Sequence, residues 1–188
     1  SVTGVQTCAL PIYEPPQCER SKGETPMKLS AKLLKALNKQ INMELASGYL
    51  YRSMSHDMKN LALNGYAKWL DKQYEEEREH AFKIISYVED RDGVVDFDSV
   101  EGVKKHYDKP LDAAKDSLAH EEKVSASIRD LFKLAREEGD IETEVFLQWF
   151  ITEQIEEEVN ARDNVAGFEK AKDCEGLLFM FDAHLGGR

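Results

Sequence analysis

A chain of 188 residues, with 41% hydrophobic and 32% charged residues, is long enough to bury the core of one domain. Its formal net charge of −11 argues against a nucleic-acid partner, because phosphate binding requires a basic face, and it suits a protein that attracts cations. No apolar run approaches the roughly 20 residues of a membrane-spanning helix, so we expect no membrane partner.

The first 26 residues differ in composition from the rest of the chain. They hold four of the five prolines and two of the three cysteines, and they show no helical or strand periodicity. Because their start, SVTGVQTCALPI, resembles translated vector sequence, we expect residues 1–26 to be a disordered, artefactual extension. The alternative is a targeting peptide, against which an internal proline and two acidic residues argue. The predicted domain is residues 27–188, whose single cysteine, Cys174, suits a reducing cytoplasm.

Two long helices are predicted first. Ser30 has the side chain of an N-cap, and apolar residues at steps of three and four predict a helix over residues 30–60. Asn64-Gly65 is typical of a turn, and the second helix is predicted over residues 65–91. The core-facing positions of the first helix are Leu34, Leu37, Ile41, Glu44, Gly48, Tyr51, Ser55 and Met58. Those of the second are Leu70, Gln73, Glu77, His80, Ile84 and Val88.

The segment over residues 94–109 has no helical stripe. It is long for a loop in a compact domain, so we expect it to cross the length of a helical bundle. Several of its residues are apolar, and a single bundle would leave them exposed. They are Val94, Val95, Phe97 and Val100.

Two more long helices and one short helix follow. Pro110 suits the first turn of a third helix, which is predicted to end at Glu138 with Gly139 just beyond it. The fourth helix is predicted over residues 140–170, and a short amphipathic helix over residues 174–185. The core-facing positions of the third are Ala114, Leu118, Glu121, Val124, Ile128, Leu131 and Ala135. Those of the fourth are Leu147, Phe150, Gln154, Glu157, Ala161, Val165 and Phe168.

Short turns on either side of one long crossover predict an all-α fold. It is an up-down-down-up four-helix bundle, with the crossover between helices 2 and 3 and a short C-terminal fifth helix. In this arrangement the polar residues near the middle of each apolar stripe fall in one layer. They are Glu44, Glu77, His80, Glu121, Gln154 and Glu157.

This polar layer predicts a metal site. An unpaired buried carboxylate is so unfavourable that it normally takes up a proton or finds a cation. Four of them would be balanced by two divalent cations. Glu77 and His80 also form Glu-x-x-His, whose side chains meet on one helix face and are common ligands of iron, zinc or manganese. Di-iron carboxylate sites in helical bundles have this composition.

Three segments, NMELASGYLY, EEEREH and FLQWFITEQIEEE, resemble those of prokaryotic non-haem ferritins, and the resemblance covers essentially residues 27–185. It implies a ferritin-like fold and an iron-storage protein in the cytoplasm. It also implies a ferroxidase centre that oxidises Fe(II) with dioxygen or hydrogen peroxide, and a mineral inside a hollow shell of twenty-four identical subunits. Apolar residues of the crossover and of Leu177 to Phe181 would be buried between those subunits.

The same resemblance assigns roles to individual residues. The first iron site would use Glu44, Glu77 and His80. The second would use Glu77 as a bridge, Glu121 and Glu157, with Gln154 beside it. Tyr51 matches a tyrosine that assists electron transfer, and a third iron site would use Glu76, Glu153 and Glu156. Haem is not expected, because Arg78 stands where bacterioferritin has its haem-binding methionine. The fourth helix also lacks a second Glu-x-x-His, which argues against bacterioferritin and rubrerythrin.

Other interpretations remain open from the sequence. The chain could be a different di-metal bundle enzyme, which predicts a small oligomer without mineral, or a structural bundle without tight metal binding. Glu76, Glu153 and Glu156 would then be ordinary surface residues. The resemblance implies that an acidic cluster at the start of the fourth helix borders a threefold pore and draws in ferrous ions, and the alternative is that the cluster stabilises the helix dipole. Its members are Asp140, Glu142 and Glu144. We also expect Trp149 to be simple core and His56, His106 and His120 to face solvent.

Overall fold

The computed structural model describes residues 28–102 and 106–187, and within those residues it contains five α-helices and no strand. They are α1 (Ala31–Asn60), α2 (Asn64–Asp90), α3 (Pro110–Glu138), α4 (Ile141–Ala171) and α5 (Glu175–Gly186). The predicted all-α fold is confirmed, and each helix begins and ends within one residue of its predicted position. The extension expected at residues 1–26 lies outside the described residues. Across the described part of the chain, no helix has the length and apolar character needed to cross a membrane.

Local signals set the ends of these helices. The Ser30 side chain accepts a hydrogen bond from Leu33 N at 3.1 Å, as an N-cap does. Pro110 is the first residue of α3, where its missing N–H leaves no helical hydrogen bond unmade. Gly139 ends α3 with a φ of 70°, a conformation that glycine adopts without strain. The Asp140 side chain then caps α4.

Contacts between helix ends give the direction of each helix. Lys59, in the last turn of α1, contacts Asp71 near the start of α2 at 2.7 Å, so α1 and α2 are antiparallel. Arg136, in the last turn of α3, contacts Glu144 near the start of α4 at 3.1 Å, so these two are also antiparallel. The last turn of α2 likewise meets the first turn of α4. These directions give the predicted up-down-down-up bundle.

The crossover between α2 and α3 is hydrogen-bonded to α1 near both of its ends. Asn38 Oδ1 accepts from Asp96 N at 2.9 Å, and Asn42 Nδ2 donates to Asp96 O at 2.8 Å. Towards the other end of α1, the Asp57 carboxylate accepts from Tyr107 N at 2.8 Å. The attachment points on α1 are separated by about 28 Å of helix at 1.5 Å per residue. The crossover therefore runs along the bundle, as the sequence predicts.

Apolar side chains fill the bundle on both sides of a polar middle layer. The cluster nearer α5 includes Tyr51, Met54, Met58, Tyr66, Trp69, Leu70, Phe168 and Leu185. The cluster farther from α5 includes Leu33, Leu37, Ile41, Ile84, Val88, Val124, Ile128, Leu131, Leu147 and Phe150. Three residues predicted to face the core, Leu34, Leu118 and Val165, are only half-buried. Leu33 takes the place of Leu34, because positions 33, 37 and 41 share one helix face.

The C-terminal helix α5 packs against α2 and α4. Asp182 Oδ2 and Oδ1 accept hydrogen bonds from Gly65 N at 3.0 Å and Tyr66 N at 2.8 Å. These N–H groups belong to the first turn of α2, where no helical carbonyl can accept from them. The Phe181 ring meets the Phe168 ring edge-on, with centroids 4.9 Å apart. The short helix therefore packs against the bundle through the face that carries Phe181, Asp182 and Leu185.

We expect Gly65→Ala to loosen α5 from the bundle. A Cβ atom at this position would lie 1.8 Å from the Asp182 carbonyl oxygen, a backbone atom that cannot rotate away. Relieving this overlap should lower the free energy of unfolding by about 1–3 kcal/mol. It should also speed hydrogen exchange of the α5 amides. Gly176→Ala is the matched control, because no atom lies within 4 Å of its added Cβ. Equal exchange in both variants would contradict this packing.

Candidate metal centre

The polar middle layer contains every residue that the sequence places there. Each is at most 6% exposed. They are Glu44 on α1, Glu77 and His80 on α2, Glu121 on α3, and Gln154 and Glu157 on α4. Four helices therefore converge with four carboxylates and one imidazole between the two apolar clusters.

Three of these side chains form a compact group. The potential ligand atoms of Glu44, Glu77 and His80 lie within 4.8 Å of one another. A first-row metal ion binds oxygen and nitrogen ligands at roughly 2.1 Å, so two of its ligands lie up to about 4.2 Å apart. Small side-chain adjustments are enough to bring the group to that spacing. His80 Nδ1 is also 3.6 Å from Glu77 Oε2, so the imidazole and the carboxylate face the same space.

A glutamine that the sequence analysis missed orients one of the carboxylates. Gln40 Nε2 donates to Glu44 Oε1 at 2.8 Å, and Gln40 Oε1 accepts from Ser127 Oγ at 2.5 Å. Gln40 is fully buried. Its position one helical turn before Glu44 is the feature of the sequence that could have identified it. The second oxygen, Glu44 Oε2, is buried and has no hydrogen-bond partner among the described residues, so it is available to a cation.

A second group surrounds Glu121. Tyr51 donates its hydroxyl hydrogen to Glu121 Oε1, and Gln154 Nε2 donates to Glu121 Oε2 at 3.1 Å. The Tyr51 hydroxyl oxygen also lies 3.0 Å from Ser117 Oγ, so a second hydrogen bond holds it in place. This hydrogen-bond network indicates that the amide nitrogen of Gln154, and not its oxygen, faces the Glu121 carboxylate. In this geometry Gln154 orients Glu121, and its use as an iron ligand stays a prediction.

Burial and mutual repulsion make ionisation of these acids unfavourable. Burial, and then the charges of Glu44 and Glu121, raise the pKa of Glu77 well above its usual value. Burial raises the pKa of Glu121 to about 7, although the hydrogen bond from Tyr51 acts in the opposite direction. Burial and nearby carboxylates raise the pKa of Glu157 to about 8. Bound cations would remove this penalty, because an opposite charge favours the ionised form.

Further unengaged oxygen atoms face the same interior. Glu77 Oε2 and Glu157 Oε2 are buried and lack hydrogen-bond partners within the part of the chain that the structure describes. Buried polar atoms normally have such partners, so this deficit needs an explanation. Divalent cations supply one, since carboxylate oxygens and imidazole are suitable ligands for iron and manganese.

Beside Glu157 lies a small cavity of about 130 Å³, which we call the outer acidic cavity. It is lined by Trp69, Lys72, Gln73, Glu76, Glu153, Glu156, Glu157 and Asn160. The three residues predicted for a third iron site, Glu76, Glu153 and Glu156, therefore line one space. Glu157 belongs to both sites, because it lines this cavity and is also part of the buried layer. The charge of Glu121 in that layer acts on it.

Two aromatic side chains near the layer differ from expectation. His120 was expected to face solvent, but it is half-buried, with Nε2 2.6 Å from Ser47 Oγ. Burial, and then the charge of Lys123, lower the pKa of His120 to about 4. Trp149 was expected to be simple core, but it is 39% exposed. Its ring covers His80 edge-on at 5.4 Å, so it separates the imidazole from the surface. His56 and His106 are exposed, as expected.

The acidic cluster at the start of α4 is divided by its contacts. Asp140 accepts from Thr143 N and forms a nearly buried ion pair with Arg91, with Oδ2 2.9 Å from Nη2. Asp140 therefore caps α4 and joins it to the end of α2. Glu144 pairs with Arg136 at 3.1 Å, whereas Glu142 is exposed. Helix stabilisation accounts for Asp140, and a pore role stays a prediction for the other two.

The chain matches the family model described as the ferritin-like domain over residues 34–171. It is 33% identical over 160 residues to the bacterial non-heme ferritin of Staphylococcus aureus strain USA300, which covers 85% of this chain and 96% of that protein. It is 35% identical over 160 residues to the bacterial non-heme ferritin of Bacteroides fragilis strain 638R, covering 85% of this chain and 99% of the relative.

The fold is also similar to solved structures. An open-pore ferritin from the hyperthermophilic archaeon Archaeoglobus fulgidus superposes with a TM-score of 0.84 and 37% sequence identity. The similarity covers 86% of this chain and 99% of that one. A humanized archaeal ferritin gives a TM-score of 0.84 at 34% identity, with 86% of this chain and 99% of the other covered. The similarity therefore extends through the four helices that hold the polar layer.

Proposed function

Because the chain belongs to the ferritin-like domain family, we propose that it stores iron and that it oxidises ferrous iron within its own four-helix bundle. The ferric product is deposited as mineral inside a hollow shell of identical subunits. The observation that carries this proposal is the buried layer of four carboxylates and one imidazole, with three carboxylate oxygens left unengaged among the described residues. Few purely structural cores would retain so many buried carboxylate oxygens without partners, because burying an unpaired charge is unfavourable.

We assign the two iron-binding positions as follows. The first uses Glu44, Glu77 and His80, whose ligand atoms already lie within 4.8 Å of one another. The second uses Glu77 as a bridge together with Glu121 and Glu157, and Gln154 lies beside it. Support for the bridge is electrostatic, because the charges of both Glu44 and Glu121 act on Glu77. The outer acidic cavity is the third position.

The proposed reaction is a two-electron oxidation of two ferrous ions. Each ferrous ion gives up one electron, and dioxygen takes both electrons with two protons to form hydrogen peroxide. If hydrogen peroxide is the oxidant instead, the same two electrons and two protons give two water molecules. Carboxylates favour the ferric state, because they are hard anionic ligands. Tyr51, with its hydroxyl bonded to Glu121, lies beside the second position, and we propose that it assists the transfer of these electrons.

Assembly and location complete the proposal. Apolar side chains stay exposed on two parts of the single chain, the crossover and α5. They include Val94, Phe97, Leu177, Phe179 and Met180. Such surfaces suit burial between copies, and we propose a shell of twenty-four subunits. We also propose that the protein is cytoplasmic. We propose that it binds no haem, because Arg78, which is ion-paired with Glu75, stands where bacterioferritin has its haem-binding methionine.

A direct test combines oxidation with assembly. The metal-free protein is mixed in air with ferrous iron, from less than one ion per chain to a large excess over two, and ferric absorbance is followed by stopped flow while mass is measured by light scattering. We expect a fast phase that saturates at two ferrous ions per chain, in a particle of twenty-four chains. Anomalous scattering at the iron edge from a ferrous-soaked crystal should show ions at the assigned positions. A small oligomer that oxidises iron without forming mineral would favour the other di-metal enzymes instead.

A further inference from the structure

One lysine lies among the carboxylates of the outer acidic cavity. Lys72 Nζ is 3.3 Å from Glu76 Oε1, and Gln73 Nε2 donates a hydrogen bond to Glu76 Oε2. Both oxygen atoms of Glu76 are therefore engaged by side chains one turn earlier on α2. A cation that enters the cavity meets a carboxylate that already has partners.

Glu157, which also lines the cavity, is in the opposite condition. Glu157 is 6% exposed, and its Oε2 has no hydrogen-bond partner among the described residues. The charges of Glu76, Glu153 and Glu156 all act on this carboxyl group. The residues that line the cavity therefore include a buried carboxylate with one unpartnered oxygen and an ion-paired, partly exposed carboxylate.

We propose that Lys72 is the resident counter-ion of the outer acidic cavity, and that a ferrous ion binds there by displacing the Lys72 ammonium from Glu76. This inference rests on the proposed function, which makes ferrous iron the cation concerned. The exchange replaces one positive charge by two among the four carboxylates that line the cavity. Lys72 thereby keeps the cavity weaker for metal than the buried layer.

The properties of Lys72 suit such an exchange. Its side chain is 63% exposed, so the ammonium can leave Glu76 and remain hydrated. Lysine carries its charge on a flexible stem, without the fixed fork of donors that makes arginine pairs persist. Partly exposed ion pairs of this kind are weak, so a divalent cation can replace the ammonium. The Gln73 amide must rotate as well, because its N–H now occupies the second oxygen of Glu76.

Zinc binding to the assembled, metal-free protein tests this inference by isothermal titration calorimetry. We expect tight binding at the buried layer and a weaker event at the outer acidic cavity. Lys72→Met should tighten the weaker event by about 3- to 10-fold, since it removes a unit charge a few ångströms from a divalent ion. The tight events should change by less than about 2-fold. Because Lys72 is exposed, the variant should fold as the parent does.

Two controls make the result specific. Lys133→Met removes the same charge from a lysine that pairs with Asp130 on the exposed side of α3, and it should leave the weaker event unchanged. Glu153→Gln, added to Lys72→Met, should weaken that event again because it removes a lining carboxylate. Equal tightening in both lysine variants, or no weaker event in any variant, would overturn the role of Lys72. Absence of the tight events in the parent would instead overturn the proposed function.

Discussion

Glu77→Gln should abolish the fast phase of ferrous oxidation. Glu77 groups with Glu44 and His80, and the charge of Glu121 also acts on it, so its loss should affect both proposed iron positions. Removing only a hydrogen-bond partner of a metal ligand typically lowers metal affinity or activity by 10- to 100-fold. We therefore expect at least about a 100-fold slower fast phase on replacing a shared ligand. Stopped-flow absorbance of the ferric product measures the change.

The same substitution should not destabilise the metal-free protein. Glutamine keeps the shape of the side chain and removes a charge that is unfavourable at this depth. The midpoint of thermal unfolding at pH 8 in a chelator should therefore be no lower than that of the parent. Glu79→Gln is the matched control, because it lies two residues away on the exposed side of α2. Parental oxidation rates in Glu77→Gln would remove the buried layer as the oxidation site.

The metal-free protein should become less stable as pH rises towards 8. The folded-state pKa values of Glu121 and Glu157, about 7 and about 8, lie above the usual value of 4.5, and that of Glu77 is raised as well. Between pH 4.5 and the raised folded-state pKa values, the folded chain binds more protons than the unfolded chain. Unfolding therefore releases protons, and a higher pH favours unfolding. The favourable contribution is complete below about pH 4.5 and is lost as pH passes through 7 to 8.

The size of this effect should be on the order of a few kcal/mol, because each unit of pKa shift corresponds to about 1.4 kcal/mol and the groups are coupled. Thermal unfolding in a chelator between pH 5.5 and 8.5 measures it. Zinc should reverse the trend, since metal binding displaces protons from its ligands and strengthens with pH. The double variant Glu121→Gln with Glu157→Gln should show a flatter profile. A parental Tm that rises with pH in the absence of metal would contradict the raised pKa values.

Helical periodicity was sufficient to find the bundle and its polar layer. Steps of three and four residues define one helix face, and rise per residue defines the level along the axis, so Glu44, Glu121 and Glu157 could be placed before any coordinates were known. The same periodicity failed for His120 and Trp149. Both lie beside the main stripe, where exposure depends on which neighbouring helix approaches and how closely. Ser47 on α1 covers His120, and nothing in the local sequence around either residue predicts that contact.

The sequence by itself determined the five helices, their directions, and the buried acidic layer, because these follow from local hydrogen bonding and from the spacing of apolar residues. The tertiary structure decided which oxygen of each carboxylate is engaged and which is available. Gln40 engages one oxygen of Glu44, Tyr51 engages one of Glu121, and Lys72 with Gln73 engages both of Glu76. Partners such as Tyr51 and Glu121 lie on different helices and meet only after packing, so no local pattern in the chain specifies their contacts.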